Sequence, residues 1–197
     1  YEDLALALKD KGDLKKALEI ANLFQDEDSA DFKYSVLKSI TDEMIKKGLK
    51  SFRGLEHRLE YVGQFNGIHF YNDSIATIPE ATMAAVNALP ATNTLLLGGF
   101  DRMLDYSALI DFLNRSNVVN FIFMGKAGKR MFEAFRIVKN DDKKLLWAES
   151  FQDAFDQAIR YTEKGKICLL SPAAASYDSF RNFEERGLLF KKLARGE

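Results

Sequence analysis

Apolar residues recur along this chain with two different spacings. Over residues 1–50 they fall three and four apart, the period of amphipathic helices. Leu4 and Leu8 share one face, and after a break at Lys11-Gly12-Asp13 so do Leu14, Ala17, Leu18, Ala21 and Phe24. An acidic loop at residues 25–29 leads to a third helix over residues 30–40, and Thr41 is a good N-cap for a fourth that turns Ile45 and Leu49 inward. No residue period links these helices, which argues against a repeat array. From Phe52 the pattern changes to short apolar runs alternating with amphipathic stretches. Residues 59–65, Asn66-Gly67 and residues 68–71 read as a β-hairpin, because Asn-Gly supplies the two positive-φ positions of a type I′ turn. A helix is expected over residues 79–89, with Pro79 in its first turn and Thr77 and Glu80 at the spacing of a capping box. Strands follow at residues 94–97, 118–124, 144–148 and 166–170, and helices at 106–114, 129–135, 151–164 and 176–195.

Near-continuous apolar strands separated by amphipathic helices predict an α/β fold, a Rossmann-like, mostly parallel sheet covered by helices on both faces. The expected organisation is a small helical segment at residues 1–50 and an α/β domain at residues 51–197. Ligands of such sheets collect at the carboxyl ends of the strands. Three of those ends are chemically distinctive: Asn72-Asp73-Ser74, Gly98-Gly99-Phe100-Asp101-Arg102 and Ser171-Pro172-Ala173-Ala174-Ala175-Ser176. Together they offer an arginine (Arg102), hydroxyls (Ser74, Thr77, Ser176) and backbone donors at helix starts expected near Thr77 and Ser176. That inventory suits a small dianion such as a dicarboxylic amino acid, with Arg102 gripping one carboxylate. The plainer role for Arg102 is an ion pair with Asp101 or Asp105. Gly125-Lys126-Ala127-Gly128-Lys129 lacks the spacing and the Ser/Thr of a phosphate loop and reads as a basic surface turn.

Composition narrows the classes. The chain has 197 residues, 47% hydrophobic and 12% aromatic, enough for one good core with a small appendage. Its net charge of −1 gives no bulk pull toward nucleic acid or an anionic membrane, and there is no apolar run of spanning length. The single cysteine, Cys168, lies in an apolar run and reads as a buried small hydrophobe of a cytosolic protein. His57 and His69 read as structural, no His/Cys cluster has metal-ligand spacing, and no nucleophile is paired with a base in a local motif. The first residue is Tyr1 rather than Met, so a piece of something longer is expected.

Four ordered motifs resemble the Mur ligase family, in its glutamate-adding branch. They are Phe52-Arg53-Gly54-Leu55-Glu56-His57-Arg58-Leu59-Glu60, then Asn72-Asp73-Ser74-Ile75-Ala76-Thr77, then Leu95-Leu96-Leu97-Gly98-Gly99-Phe100-Asp101-Arg102. The fourth runs from Leu169 through Ser171-Pro172 to Phe180, with Phe183 and Arg186-Gly187 beyond it. The resemblance covers roughly residues 50–195, and it implies that residues 1–50 are the tail of a central ATPase domain. It further implies an ATP- and Mg2+-dependent ligase of peptidoglycan synthesis in the cytoplasm. Such an enzyme joins glutamate, D-glutamate by the closest likeness, to UDP-N-acetylmuramoyl-L-alanine through an acyl phosphate, and a monomer is expected. Carried over by position, Arg58 would reach the ATP phosphates and Asp73 the ribose. Thr77, Arg102, Ser176, Tyr177 and Phe183 would surround the glutamate, Arg102 standing where the family usually has a basic residue. No catalytic residue and no metal ligand is expected within these residues, and without the phosphate-loop domain they should be inactive alone. Ile75 and Ile78 stand where the family usually has lysine and asparagine, which leaves an L-glutamate-adding variant open. The alternatives are a sister Mur or folylpolyglutamate ligase taking another amino acid, or a non-catalytic α/β binding module.

Overall fold

The computed structural model describes residues 54–138 and 140–197 of the chain, so the helices expected over residues 1–50 lie outside the described residues. An edge hairpin comes first. Strands β1 (Glu60–Phe65) and β2 (Ile68–Asn72) pair antiparallel about Asn66 and Gly67, whose φ values of 52° and 82° are those an Asn-Gly turn requires. Helix α1 (Pro79–Ala88) leads to β3 (Thr92–Gly98), and α2 (Ser107–Arg115) to β4 (Asn120–Met124). Helix α3 (Gly125–Val138) then leads to β5 (Lys144–Trp147), α4 (Phe151–Tyr161) to β6 (Ile167–Leu170), and α5 (Phe183–Arg195) closes the unit.

The strand order is β1-β2-β6-β3-β4-β5, and every pair except β1–β2 is parallel. Alternation along the strands sorts the core into two layers. Leu95, Leu97, Phe121, Phe123 and Leu169 pack with α1, α2 and α3 on one face. Phe70, Leu96, Ile122, Cys168 and Leu170 pack with α4 and α5 on the other. Strands β3, β4 and β6 are buried on both sides, which is why they read as continuous apolar runs. Cys168 is a free, fully buried thiol, its pKa pushed up to about 12 by burial. No described helix is long and apolar enough to cross a membrane.

Three helix starts differ from expectation. Thr77 does not cap α1: Ile78 is the N-cap, extended at φ −134° and ψ 154°, with no side-chain bond. Pro79 forces the preceding residue out of the helical region, which leaves Thr77 one position outside the helix and dissolves the capping box. Residues 125–129 are the first turns of α3 rather than a surface turn. Gly128 lies so close to β3 that an added Cβ would come 3.3 Å from the Leu97 carbonyl oxygen, so the glycine serves a tight helix–strand approach. Helix α5 starts at Phe183, not Ser176, because the Asn182 side chain accepts the Glu185 N–H at 2.9 Å and makes the stronger cap. Residues 176–182 form a loop in which the Ser176 carbonyl accepts the N–H groups of Ser179 and Phe180.

Candidate functional site

The loops that leave β2, β3 and β6 are bonded to one another along one edge of the sheet. The Asp73 N–H donates to the Leu170 carbonyl at 2.8 Å, the Gly98 N–H to Pro172 at 2.8 Å, and the Phe100 N–H to Ala175 at 2.8 Å. Strand β3 ends, and the β3–α2 loop begins, with a residue that tolerates no side chain. At Gly98 (φ 111°) a Cβ would meet the Met124 carbonyl oxygen at 2.0 Å, and at Gly99 (φ 138°) the Ala175 carbonyl oxygen at 2.3 Å. The chain can leave β3 at this angle only as Gly-Gly.

Arg102 and Thr77 meet directly, since the exposed guanidinium donates from Nη2 to the Thr77 carbonyl at 2.6 Å. The ion pair considered for Arg102 does not form. Asp101 pairs with Arg130 at 2.8 Å instead, and Asp105 accepts the N–H and hydroxyl of Ser107. Arg102 has no carboxylate within 4.0 Å among the described residues. Ser176 is buried beneath this rim, and Tyr177, 67% exposed, stands above it edge-on to Phe100 with ring centroids 6.3 Å apart. Phe183 opens α5; its carbonyl accepts the Ser74 hydroxyl at 2.7 Å and its ring lies edge-on to His57. The exposed or half-exposed Ile75, Ile78 and Met103 give the rim an apolar border.

Asp73 is drawn inward. It is buried; Oδ1 accepts the Leu59 N–H at 3.1 Å and Oδ2 the Ser171 hydroxyl at 2.7 Å. Burial raises its pKa, and the two bonds and the nearby Arg58 only partly offset that. Arg58 itself is exposed, beside Asp73, on a segment with positive φ at His57 and Leu59. That segment is fastened by polar contacts. The Asn72 amide reaches His57 Nδ1 at 2.9 Å and Glu60 at 3.0 Å, and Lys191 bonds both Glu56 and Glu60. The bond to Lys191 holds Glu56 below the usual carboxylate range. Glu56, His57 and Glu60 are close enough to share a metal ion, but the Lys191 ammonium already bonds both carboxylates and supplies the positive charge there.

The sequence motif included Arg186 without giving it a task. It is 1% exposed and donates to Ser74 Oγ (3.0 Å), to the Ser74 carbonyl (2.8 Å), and to the carbonyls of Ala174 (3.1 Å) and Ala175 (3.3 Å). Burial pushes its pKa down to about 10 against the attraction of Asp178. Periodicity alone cannot find such a residue, because an arginine in a C-terminal helix normally faces water.

The expected glutamate set therefore gathers where β2, β3 and β6 end, and the expected ATP pair, Arg58 and Asp73, lies at the β2 end beside the entering segment. Residues 57–174 match the family model for the Mur ligase glutamate ligase domain. The chain is 38% identical over 156 residues to UDP-N-acetylmuramoylalanine–D-glutamate ligase of Thermoanaerobacter sp. strain X514, covering 79% of this chain and 34% of the relative. It is 39% identical over 155 residues to the same-named ligase of Desulfitobacterium hafniense, covering 78% and 33%. The chain thus spans about a third of the length of these curated relatives. Among solved structures, the bifunctional folylpolyglutamate synthase/dihydrofolate synthase of Yersinia pestis shares the fold with a TM-score of 0.56 at 17% identity, over 84% of this chain and 38% of that one. Its form with Mn, AMPPNP and L-glutamate bound gives 0.52 at 15% identity, over 84% and 39%. With the motifs, the strand-end geometry and the family model in agreement, the chain belongs to the Mur ligase family and carries its glutamate ligase domain.

Proposed function

We propose that the chain is the glutamate-binding portion of a longer ATP-dependent ligase of the cytoplasm, active as a monomer. It adds D-glutamate to UDP-N-acetylmuramoyl-L-alanine. The observation that carries this reading is the exposed Arg102 guanidinium, bonded to the Thr77 carbonyl at 2.6 Å and without a carboxylate partner among the described residues. A cation held at a fixed point beside the Thr77 loop is poised for a carboxylate. The names of the relatives support glutamate as that carboxylate's owner.

In the reaction, a carboxylate of the nucleotide-linked acceptor attacks the γ-phosphate of ATP, giving an acyl phosphate and ADP. The glutamate amine then attacks the acyl carbon, phosphate leaves, and the amine proton is lost. The residues of this chain contribute positioning. Arg102 and the Thr77 and Ser176 loops hold the amino acid so that its amine faces the acyl phosphate, with Tyr177 and Phe183 as walls. Arg58, exposed at the edge, suits a phosphate contact. Asp73, expected at the ribose, is buried with each oxygen bonded inside the domain, so its part in ATP binding is instead to fix the Leu59 backbone, and through it Arg58. Mg2+ would neutralise charge on the ATP phosphates and would be held mainly by the central ATPase domain that the family resemblance implies.

The test is phosphate release by the full-length polypeptide, expected only with ATP, UDP-N-acetylmuramoyl-L-alanine and glutamate all present. Release that ignores glutamate would sink the proposal. Competition between D- and L-glutamate and a diamino acid separates the sister activities, and Ile75 and Ile78 make the two glutamates the comparison of most interest.

A further inference from the structure

Arg186 is a charge buried without an ion pair. No carboxylate lies within 4.0 Å of it among the described residues, and its donors go to one hydroxyl and three backbone carbonyls. Desolvating a guanidinium is costly, and an apolar side chain of the same volume often stabilises a core equally well or better. A planar fork does what an apolar chain cannot: it fixes several acceptors at once, in set directions. Here Nε and Nη2 reach Ser74, 112 positions earlier, while Nη2 and Nη1 reach Ala174 and Ala175.

Those acceptors belong to the two loops that carry Thr77 and Ser176. The Ser74 hydroxyl, which accepts from Arg186, donates in turn to the Phe183 carbonyl at 2.7 Å. Ala175 receives the Phe100 N–H and so ties in the loop of Arg102. Gly99, in that loop, has no room for a Cβ partly because Arg186 Nη1 would be 3.1 Å from it. Two of the loops proposed to surround the amino acid thus bond this guanidinium directly, and the Arg102 loop and Phe183 are tied in through Ala175 and Ser74.

We propose that Arg186 is a positioning residue for the amino-acid site: its buried fork holds the β2–α1 and β6–α5 loops at a fixed spacing, so that Thr77, Ser176 and Phe183 face one bound glutamate. This rests on the glutamate reading above. Lysine is one bond shorter and its donors are not fixed in a plane, so it cannot keep all four contacts, and charge alone does not replace the fork.

Amide exchange of the 197-residue chain tests the clamp without ligand. The reporters are the N–H groups of Ser74 and Ala76 in one loop, Ser179 and Phe180 in the other, and Phe100 between, each bonded within this network. Arg186→Met is expected to speed exchange at these amides by about tenfold or more, leaving Leu95, Leu96 and Leu97 of β3 unchanged, and Arg186→Lys should not restore protection. In a parallel NMR titration the Met variant should need about tenfold more glutamate than the wild type to shift Thr77 and Ser176. Wild-type exchange in the Met variant, a uniform rise that includes β3, or full rescue by lysine would each overturn the proposal. Should the Met variant not fold, Ser74→Ala keeps the cation and removes one acceptor. Faster exchange at Ala76 and Phe180 then supports the clamp, and unchanged exchange refutes it. A wild-type chain that ignores glutamate would count against the glutamate reading, while loop exchange still decides the clamp.

Discussion

Gly187, in the first half of α5, offers a change whose sign depends on a neighbour. Its φ is ordinary, so alanine would favour the helix by about 0.8–1.0 kcal/mol in an open setting. The setting is closed: a Cβ there would lie 2.2 Å from His57 Nδ1, 2.9 Å from His57 Cε1 and 3.0 Å from Asn72 Nδ2. His57 is buried and bonded to Asn72, so it cannot yield by a small rotation. Overpacking of this kind costs about 1–3 kcal/mol, and the lost hydrogen bond adds about 1 kcal/mol. After the helical gain, Gly187→Ala should lose about 1–3 kcal/mol net. Urea unfolding followed by Trp147, the only tryptophan, reads this unit directly. His57→Gly keeps the positive φ of 62° and removes the obstructing ring. In that background Gly187→Ala should become neutral or stabilising by up to about 1 kcal/mol, a coupling of about 2 kcal/mol. A Gly187→Ala variant as stable as wild type, or a cycle with no coupling, would show that the His57 segment is not fastened to α5 as described.

Three further outcomes are expected. Burial holds the folded pKa of Asp73 above its unfolded value, so its contribution to stability is present below the unfolded carboxyl's pKa of about 3.9 and is lost as pH rises through the folded value. Asp73→Asn should therefore gain on the wild type as pH rises across that window; parallel stability–pH profiles would refute this. The buried Tyr106 hydroxyl has no hydrogen-bond partner among the described residues, so Tyr106→Phe should leave thermal stability unchanged or raise it by about 1 kcal/mol, and a clear loss would reveal a bonded hydroxyl. In the full-length ligase, Arg102→Ala should weaken glutamate use by about 1.5–3 kcal/mol and leave ATP binding nearly intact. A fall in ATP affinity with the glutamate requirement unchanged would show that Arg102 serves the nucleotide.

The legible parts of this fold are those governed by local rules. Asn66-Gly67 names its own turn, and the doubly buried strands announce themselves as apolar runs because water touches neither side. The placement of the candidate residues is legible to the extent that parallel topology brings strand ends to one edge: Asp73, Arg102 and Ser176 lie on three separate loops, and backbone bonds join those loops. The misreadings occur where a long-range contact overrides a local preference. Gly125 to Lys129 looks like a turn until Gly128 is seen packed on Leu97, and Ser176 looks like a cap until Asn182 is seen to serve.

Direction was the other hidden quantity. Sequence identifies Asp73, Arg102 and Arg186 as charged but not which way each charge points, and the structure sends them to three different fates. Asp73 turns inward onto Leu59 and Ser171, Arg186 is enclosed by carbonyls, and only Arg102 remains exposed and without an acid. The difference has a physical origin in reach. The short Asp73 side chain is captured by donors within its own junction, and Arg186 starts from a helix packed over the loops. Arg102, exposed on the loop that follows the paired glycines, can satisfy one donor on Thr77 and still present the others to a ligand. An exposed arginine with no ion pair among the described residues, beside loops held by a buried one bonded to carbonyls, is an arrangement in which the proposed roles divide: the inner cation supplies geometry and the outer one supplies binding.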